Sequence, residues 1–193
     1  MTNSHAANSI TVIGLSGSLR PGSYTRLAVQ TVLRAAHEAG AQTRLLDLSE
    51  YQLGLRDGAA DDTTMPANVL RLRQEIKQAQ ALILGTPEYH GSFSGVLKNA
   101  LDWLDGSELN GKMIGLVGVS GGALGGIDAL NGLRAICRSL HACVILEQAA
   151  IPEAWKVFGE NGSINNRALE NRLLSVGQQV VQYRGGVLPL IRL

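Results

Sequence analysis

A chain of 193 residues is long enough for one well-cored domain, and 45% hydrophobic with 17% charged residues is a globular rather than a disordered composition. The formal net charge of +1, with no basic cluster interleaved with aromatics, gives no electrostatic reason to expect nucleic acid or a membrane surface as partner. Residues 1–8 (MTNSHAAN) read as a disordered lead without signal-peptide character, no apolar run approaches the roughly 20 residues of a bilayer span, and Cys137 and Cys143 read as buried free thiols, which together predict a cytoplasmic protein.

Residues 9–15 (SITVIGL) form a β-branched apolar run ending at glycine-serine, which predicts a buried strand. A helical stripe follows in Ala28, Val32, Ala35, Ala36 and Ala39, closed by Gly40. Residues 42–48 (QTRLLDL) predict a second strand, less apolar and so nearer a sheet edge. Residues 53–64 (LGLRDGAADDTT) are irregular: a lid, an oligomer contact or a tolerated insertion. Met65, Val69, Leu72, Ile76 and Ala79 mark an amphipathic helix begun near Pro66.

Residues 81–85 (ALILG) predict the third strand and residues 94–104 a helix capped by Ser94. Residues 112–118 (KMIGLVG) are the fourth strand, residues 123–140 a long helix, and residues 143–147 (CVILE) the fifth strand. Leu169, Leu173, Val176 and Val180 mark the last helix, and an apolar C-terminal arm over residues 185–193 is expected to fold back on its own subunit or pack across a subunit boundary. Five apolar strands alternating with five helices predict a single α/β domain over residues 1–193. Its architecture is a doubly wound three-layer sandwich of flavodoxin-like type, with a five-stranded parallel sheet in the order 2-1-3-4-5.

In such sheets ligands bind at the carboxyl ends of strands, near the point where strand order reverses. Three loops meet that rule. After the first strand, Ser16, Ser18, Ser23 and Thr25 offer hydroxyls and Arg20 a guanidinium fork just before a helix N-terminus, the parts of a phosphate site. The stretch is neither a Walker loop nor a GxGxxG turn, and it would also suit a serine-rich turn capping the helix. After the third strand, "GTPEYHGSFSG" brings the rigid Pro87, the planar Tyr89 and His90, and Gly91 for close backbone approach, which suits a flat heteroaromatic ring. After the fourth, "GVSGGALGG" either packs backbone against a bound ring or makes a tight strand-to-helix turn.

"GSLRPGSYTRLA", "TPEYHGSFSGVLKNALDW" and "VSGGALGGIDALNGLR" resemble the three signature stretches of the NAD(P)H-dependent FMN reductase family, which includes quinone, azo and chromate reductases. The resemblance runs from the first strand to about Pro152 and implies FMN as cofactor with NADPH or NADH as co-substrate. It implies that Ser18, Arg20, Ser23, Tyr24 and Thr25 hold the phosphate and ribityl end. Pro87, Glu88, Tyr89 and His90 would lie along the isoalloxazine, with Ser120, Gly121 and Gly122 closing its other side. Many relatives carry asparagine where His90 stands, while others share the histidine.

The family also implies a homodimer or homotetramer and a small-molecule electron acceptor: a quinone, free flavin, azo dye or metal oxyanion. No side chain need act as acid or base, so no catalytic residue is assigned. The competing readings are a flavodoxin-like electron carrier without its own nicotinamide reaction, and an α/β domain that has lost its cofactor.

Overall fold

The computed structural model describes residues 9–58 and 64–185. The expectations for residues 1–8, for the middle of the 53–64 loop and for the arm beyond residue 185 therefore lie outside the described residues. In chain order the elements are β1 (Thr11–Ser16), α1 (Tyr24–Glu38), β2 (Gln42–Asp47), a 3-10 turn (Leu48–Glu50), α2 (Ala67–Gln78), β3 (Ala81–Tyr89) and β4 (Ser92–Phe93). They continue as α3 (Gly95–Asp102), α4 (Gly106–Leu109), β5 (Met113–Val119), α5 (Ile127–Ser139), β6 (Cys143–Ile151), α6 (Ala154–Val157) and α7 (Arg167–Gly185).

The parallel sheet runs β2-β1-β3-β5-β6, with β4 as a short antiparallel appendage on β3. Leaving that appendage aside, this is the expected 2-1-3-4-5 order, and β2 lies at an edge as its polar composition suggested. Three boundaries differ. β3 and β6 run on to Tyr89 and Ile151, because backbone pairing continues at the sheet's carboxyl edge, through the mostly polar residues 86–89 in β3 and through residues 148–151 in β6. The long helix starts at Ile127 rather than residue 123, because Gly125 and Gly126 sit at φ 70° and 85°, outside helical space.

Alternation along the central strands separates two faces. Ile13, Leu15, Leu82, Leu84, Ile114 and Leu116 pack with residues of α2, α3 and α5 on one side. On the other, Val12, Ile83 and Val117 join residues of α1 and α7. Three sheet glycines fall on this second face. A Cβ on Gly14 would lie 2.5 Å from Val29, one on Gly85 2.2 Å from Val29, and one on Gly115 2.9 Å from Val176. The missing side chains let α1 and α7 sit close to the sheet.

One of the two cysteines differs from expectation. Cys137, on α5, is buried, and burial pushes its thiol pKa up to about 12. Cys143 is exposed, because it opens the edge strand β6. The membrane reading has its structural counterpart: among the described residues no helix is long and apolar enough to cross a membrane.

α7 and α1 meet at Gly177, where an added Cβ would approach the Val32 carbonyl oxygen to 2.3 Å and Ala35 Cβ to 2.9 Å. Helix propensity alone would favour alanine there by about 1 kcal/mol. The contact is with backbone and cannot move aside, so Gly177→Ala is expected to destabilise by about 1–3 kcal/mol, read as a lower urea midpoint.

Candidate functional site

The loop after β1 is positioned by hydrogen bonds rather than by a core of its own. Gly17 N donates to Gly85 O at 2.8 Å, and Ser94 Oγ donates to Gly17 O at 2.7 Å. Ser94 Oγ also accepts from Leu97 N, the expected cap of α3, while Ser94 N donates to Thr86 Oγ1 at 2.9 Å. One serine thus fastens the first loop to the third. Gly17 leaves room for it: a Cβ there would lie 2.8 Å from the serine oxygen.

Ser23 caps α1 by accepting from Arg26 N, and the other free N–H groups of the first turn remain available to an anion. Two arginines flank this end, but only one is free. Arg26 pairs with Asp47 at 2.5 Å. Burial alone would raise the Asp47 carboxyl, but hydrogen bonds from Ser49 and the Arg26 charge hold it below its ordinary value. Arg20 has no carboxylate partner among the described residues. Ser16 ends β1 fully buried, and its hydroxyl has no hydrogen-bond partner among the described residues.

β3 folds back on β4 with Glu88 opposite Phe93 and Tyr89 opposite Ser92. The two linking residues, His90 at φ 52° and Gly91 at φ 73°, both take the left-handed conformation that a type I′ hairpin turn demands. Histidine and asparagine are among the few residues that tolerate it. The turn gives His90 a backbone role. Glu88 is engaged on the far side: its Oε2 accepts from Ala129 N at 3.0 Å, in the first turn of α5.

The glycine-rich loop after β5 divides in two. Gly125, Gly126 and Gly118 make the tight strand-to-helix turn, with Gly118 so near the Gly126 carbonyl that a Cβ would approach it to 2.8 Å. Gly121 is open, with nothing within 4 Å of where a Cβ would stand.

These loops surround an open cleft of about 390 Å³. Ser18, Arg20, Ser23, Tyr24, Thr25, Pro87, Glu88, Tyr89, Ser120 and Gly121 line it; Ser16, His90, Gly91 and Gly122 do not. Four further residues line it: Gly22, Val119, Ala154 and Trp155. The last two come from the loop after β6, which is tied to the glycine-rich loop by Ser120 N to Ile151 O, Ala154 N to Ser120 O and Glu153 N to Gly122 O, at 2.9–3.1 Å. The strand-end rule that selected the other loops applies equally to "IPEAW", and extending it by one strand would have found Trp155. Tyr24 stacks on Phe158 at 5.5 Å, joining the end of α6 to the start of α1.

The sequence profile of the NADPH-dependent FMN reductase family matches residues 10–156, the span that carries all four cleft loops. The chain belongs to that family. It is 31% identical over 172 residues to the FMN-dependent NADPH-azoreductase of Staphylococcus aureus, covering 86% of this chain and 91% of the relative. The NADPH azoreductase of Bacillus sp. (strain OY1-2) is 38% identical over 118 residues, 61% of this chain and 66% of that enzyme. In fold it is similar to FerB, a flavoenzyme NAD(P)H:(acceptor) oxidoreductase from Paracoccus denitrificans, with a TM-score of 0.74, 24% identity and coverage of 91% and 97%. An archaeal flavodoxin aligns with a TM-score of 0.63 at 12% identity, over 91% of this chain and 99% of the other.

The cleft of this FMN reductase family member fits the family's cofactor on its own features. Its volume lies within the roughly 300–1,000 Å³ of cofactor sites. Its lining offers hydroxyls, the Arg20 guanidinium, unpaired among the described residues, and a helix N-terminus, chemistry matched to a phosphate monoester. It also includes Pro87, Tyr89 and the open Gly121, which suit a flat ring.

The turn gives a direct test. His90→Asn is expected to leave stability within about 0.5 kcal/mol, because asparagine suits a type I′ turn. His90→Val should cost about 1–2 kcal/mol, the penalty of a left-handed β-branched residue, measured as the difference in unfolding free energy in urea.

Proposed function

We propose that the protein is an FMN-dependent NAD(P)H oxidoreductase that carries reducing equivalents from a nicotinamide to a small acceptor: a quinone, free flavin, azo dye or metal oxyanion. The observation that carries this reading is the single cleft into which the hydroxyl loop, Arg20 and the planar loop after β3 all open, within the span matched to the reductase family. Azoreductase is the activity named for the curated relatives, which favours an aromatic acceptor.

Bound FMN supplies two-electron chemistry, accepting from a nicotinamide and passing on to the acceptor. The chain supplies binding and orientation. Ser18, Ser23, Thr25, Arg20 and the α1 N-terminus would hold the phosphate. Pro87, Glu88 and Tyr89 would lie along one edge of the ring, with Ser120 and Gly121 across from them. The buried Ser16 hydroxyl stands at the root of the phosphate loop. His90, Gly91 and Gly122 shape these loops without lining the cleft.

A flavodoxin-like carrier is the rival, since the archaeal flavodoxin shares the fold. Carriers that dock redox partners are often strongly acidic, and a net charge of +1 disfavours that role. Anaerobic addition of NADPH or NADH to the purified flavoprotein separates the two. Bleaching of the flavin absorbance supports the reductase, and bound flavin that neither nucleotide reduces would overturn it.

Arg20 tests the phosphate assignment. Its guanidinium has no partner among the described residues, so Arg20→Ala should leave the fold intact while weakening FMN binding by about tenfold to a hundredfold, the worth of one charge-assisted contact. Equilibrium dialysis of the apoprotein against FMN reads the change. An unchanged dissociation constant would remove Arg20 from the site.

A further inference from the structure

The cleft lining is of two chemical kinds. Ser18, Arg20, Ser23 and Thr25 make the polar half of it. Beside them the lining includes two large planar side chains left half in water, Tyr89 at 49% exposure and Trp155 at 59%. An indole at a cleft rim forgoes its burial energy unless something visits it.

Trp155 is also held still. Lys156 Nζ sits 4.8 Å from the centre of its ring, and that ammonium is itself fixed by Glu153 Oε1 at 2.6 Å. The three backbone bonds to residues 120 and 122 anchor its loop, and Glu153 takes a left-handed φ of 43° where the chain turns into α6. Lys156 sits over the indole, and the ring also lines the cleft. A large, flat, half-exposed aromatic surface in the cleft wall is chemistry for stacking a planar ring.

Resting on the reductase reading above, we infer that Trp155 is a specificity-determining residue that stacks planar aromatic electron acceptors at the cleft rim, and so favours them over small inorganic ones. The polar half and the loops after β3 and β5 suffice to grip a resident cofactor. The most exposed ring, on the outermost strand's loop, is left for the molecule that comes and goes.

The test uses the FMN-loaded, oxidised protein with no nicotinamide present. Anthraquinone-2-sulfonate is titrated calorimetrically into the wild type, Trp155→Ala and Trp155→Phe. Stacking of this kind is worth about tenfold in affinity, so the alanine variant should bind about tenfold more weakly and the phenylalanine variant should recover most of the loss. In turnover with NADPH, kcat/KM for menadione should fall about tenfold relative to kcat/KM for ferricyanide, through KM rather than kcat.

Unchanged anthraquinone binding in Trp155→Ala would overturn the inference, as would equal losses for menadione and ferricyanide. A matching loss of FMN affinity would overturn it too, by placing Trp155 against the cofactor. Failure of both NADPH and NADH to bleach the flavin would sink the reductase reading instead, while the calorimetric titration still reports on Trp155.

Discussion

The seating of α1 against the sheet is the contact on which the cleft depends. Val29 of α1 fits into the space left by two glycines on adjacent strands, Gly14 and Gly85. Glycine in a strand weakens it, and here close packing of the helix offsets the cost. From that seat the first turn of α1 arrives at the ends of β1 and β3, so the short loop of residues 17–23 can bring its hydroxyls to the helix N-terminus. α7 packs beside α1 on the same face of the sheet, meeting it at Gly177, and itself rests on the gap at Gly115. The opposite face is lined by leucines and isoleucines along the central strands, with a glycine, Gly118, only at the carboxyl end of β5 among the described residues. The sheet is thus asymmetric for a reason that ends at the cleft.

Around that seat, the loops hold one another. Ser94 joins the first loop to the end of β3, Glu88 joins β3 to α5, and the loop after β6 is hydrogen-bonded to the loop after β5. Preorganisation of this kind lowers the ordering entropy that a ligand would otherwise have to offset. Ser94, His90 and Gly91 serve the site only by setting the course of the backbone. That explains why a signature stretch contains residues that line nothing.

Much of this was legible from the residues. Continuous apolar runs located the central strands β1, β3 and β5, because strands buried on both faces must be apolar throughout. The caps at Ser94 and Gly40 were readable, since capping chemistry is local: Gly40 at φ 98° closes α1 with Ala41 N bonding Ala36 O and Gly40 N bonding His37 O. The β3–β4 hairpin was not legible. "PEYHGSF" is polar enough to pass for loop, and its pairing depends on a His-Gly turn, a weaker signal than Asn-Gly. The exposure of Cys143 depends on which strand ends up at the edge, a tertiary fact. Trp155 lies in a helix of only four residues, too short to carry any periodicity.

Charge placement decides which helix end can receive an anion. Both α1 and α5 begin at the carboxyl edge of the sheet, and each N-terminus carries roughly half a positive charge from its aligned peptides. At α5 that charge is already answered: Glu88 caps an amide of the first turn, and Asp128 lies within that turn. At α1 the first turn contains no acidic residue, the cap is the neutral hydroxyl of Ser23, and the nearby Asp47 is tied to Arg26. A carboxylate at the α1 cap would have made as good a helix and would have repelled a phosphate. The serine keeps the helix end positive, and Arg20, unpaired among the described residues, adds to it. The proposed anion site therefore rests less on the residues that would touch a phosphate than on the absence of acid from the first turn of α1.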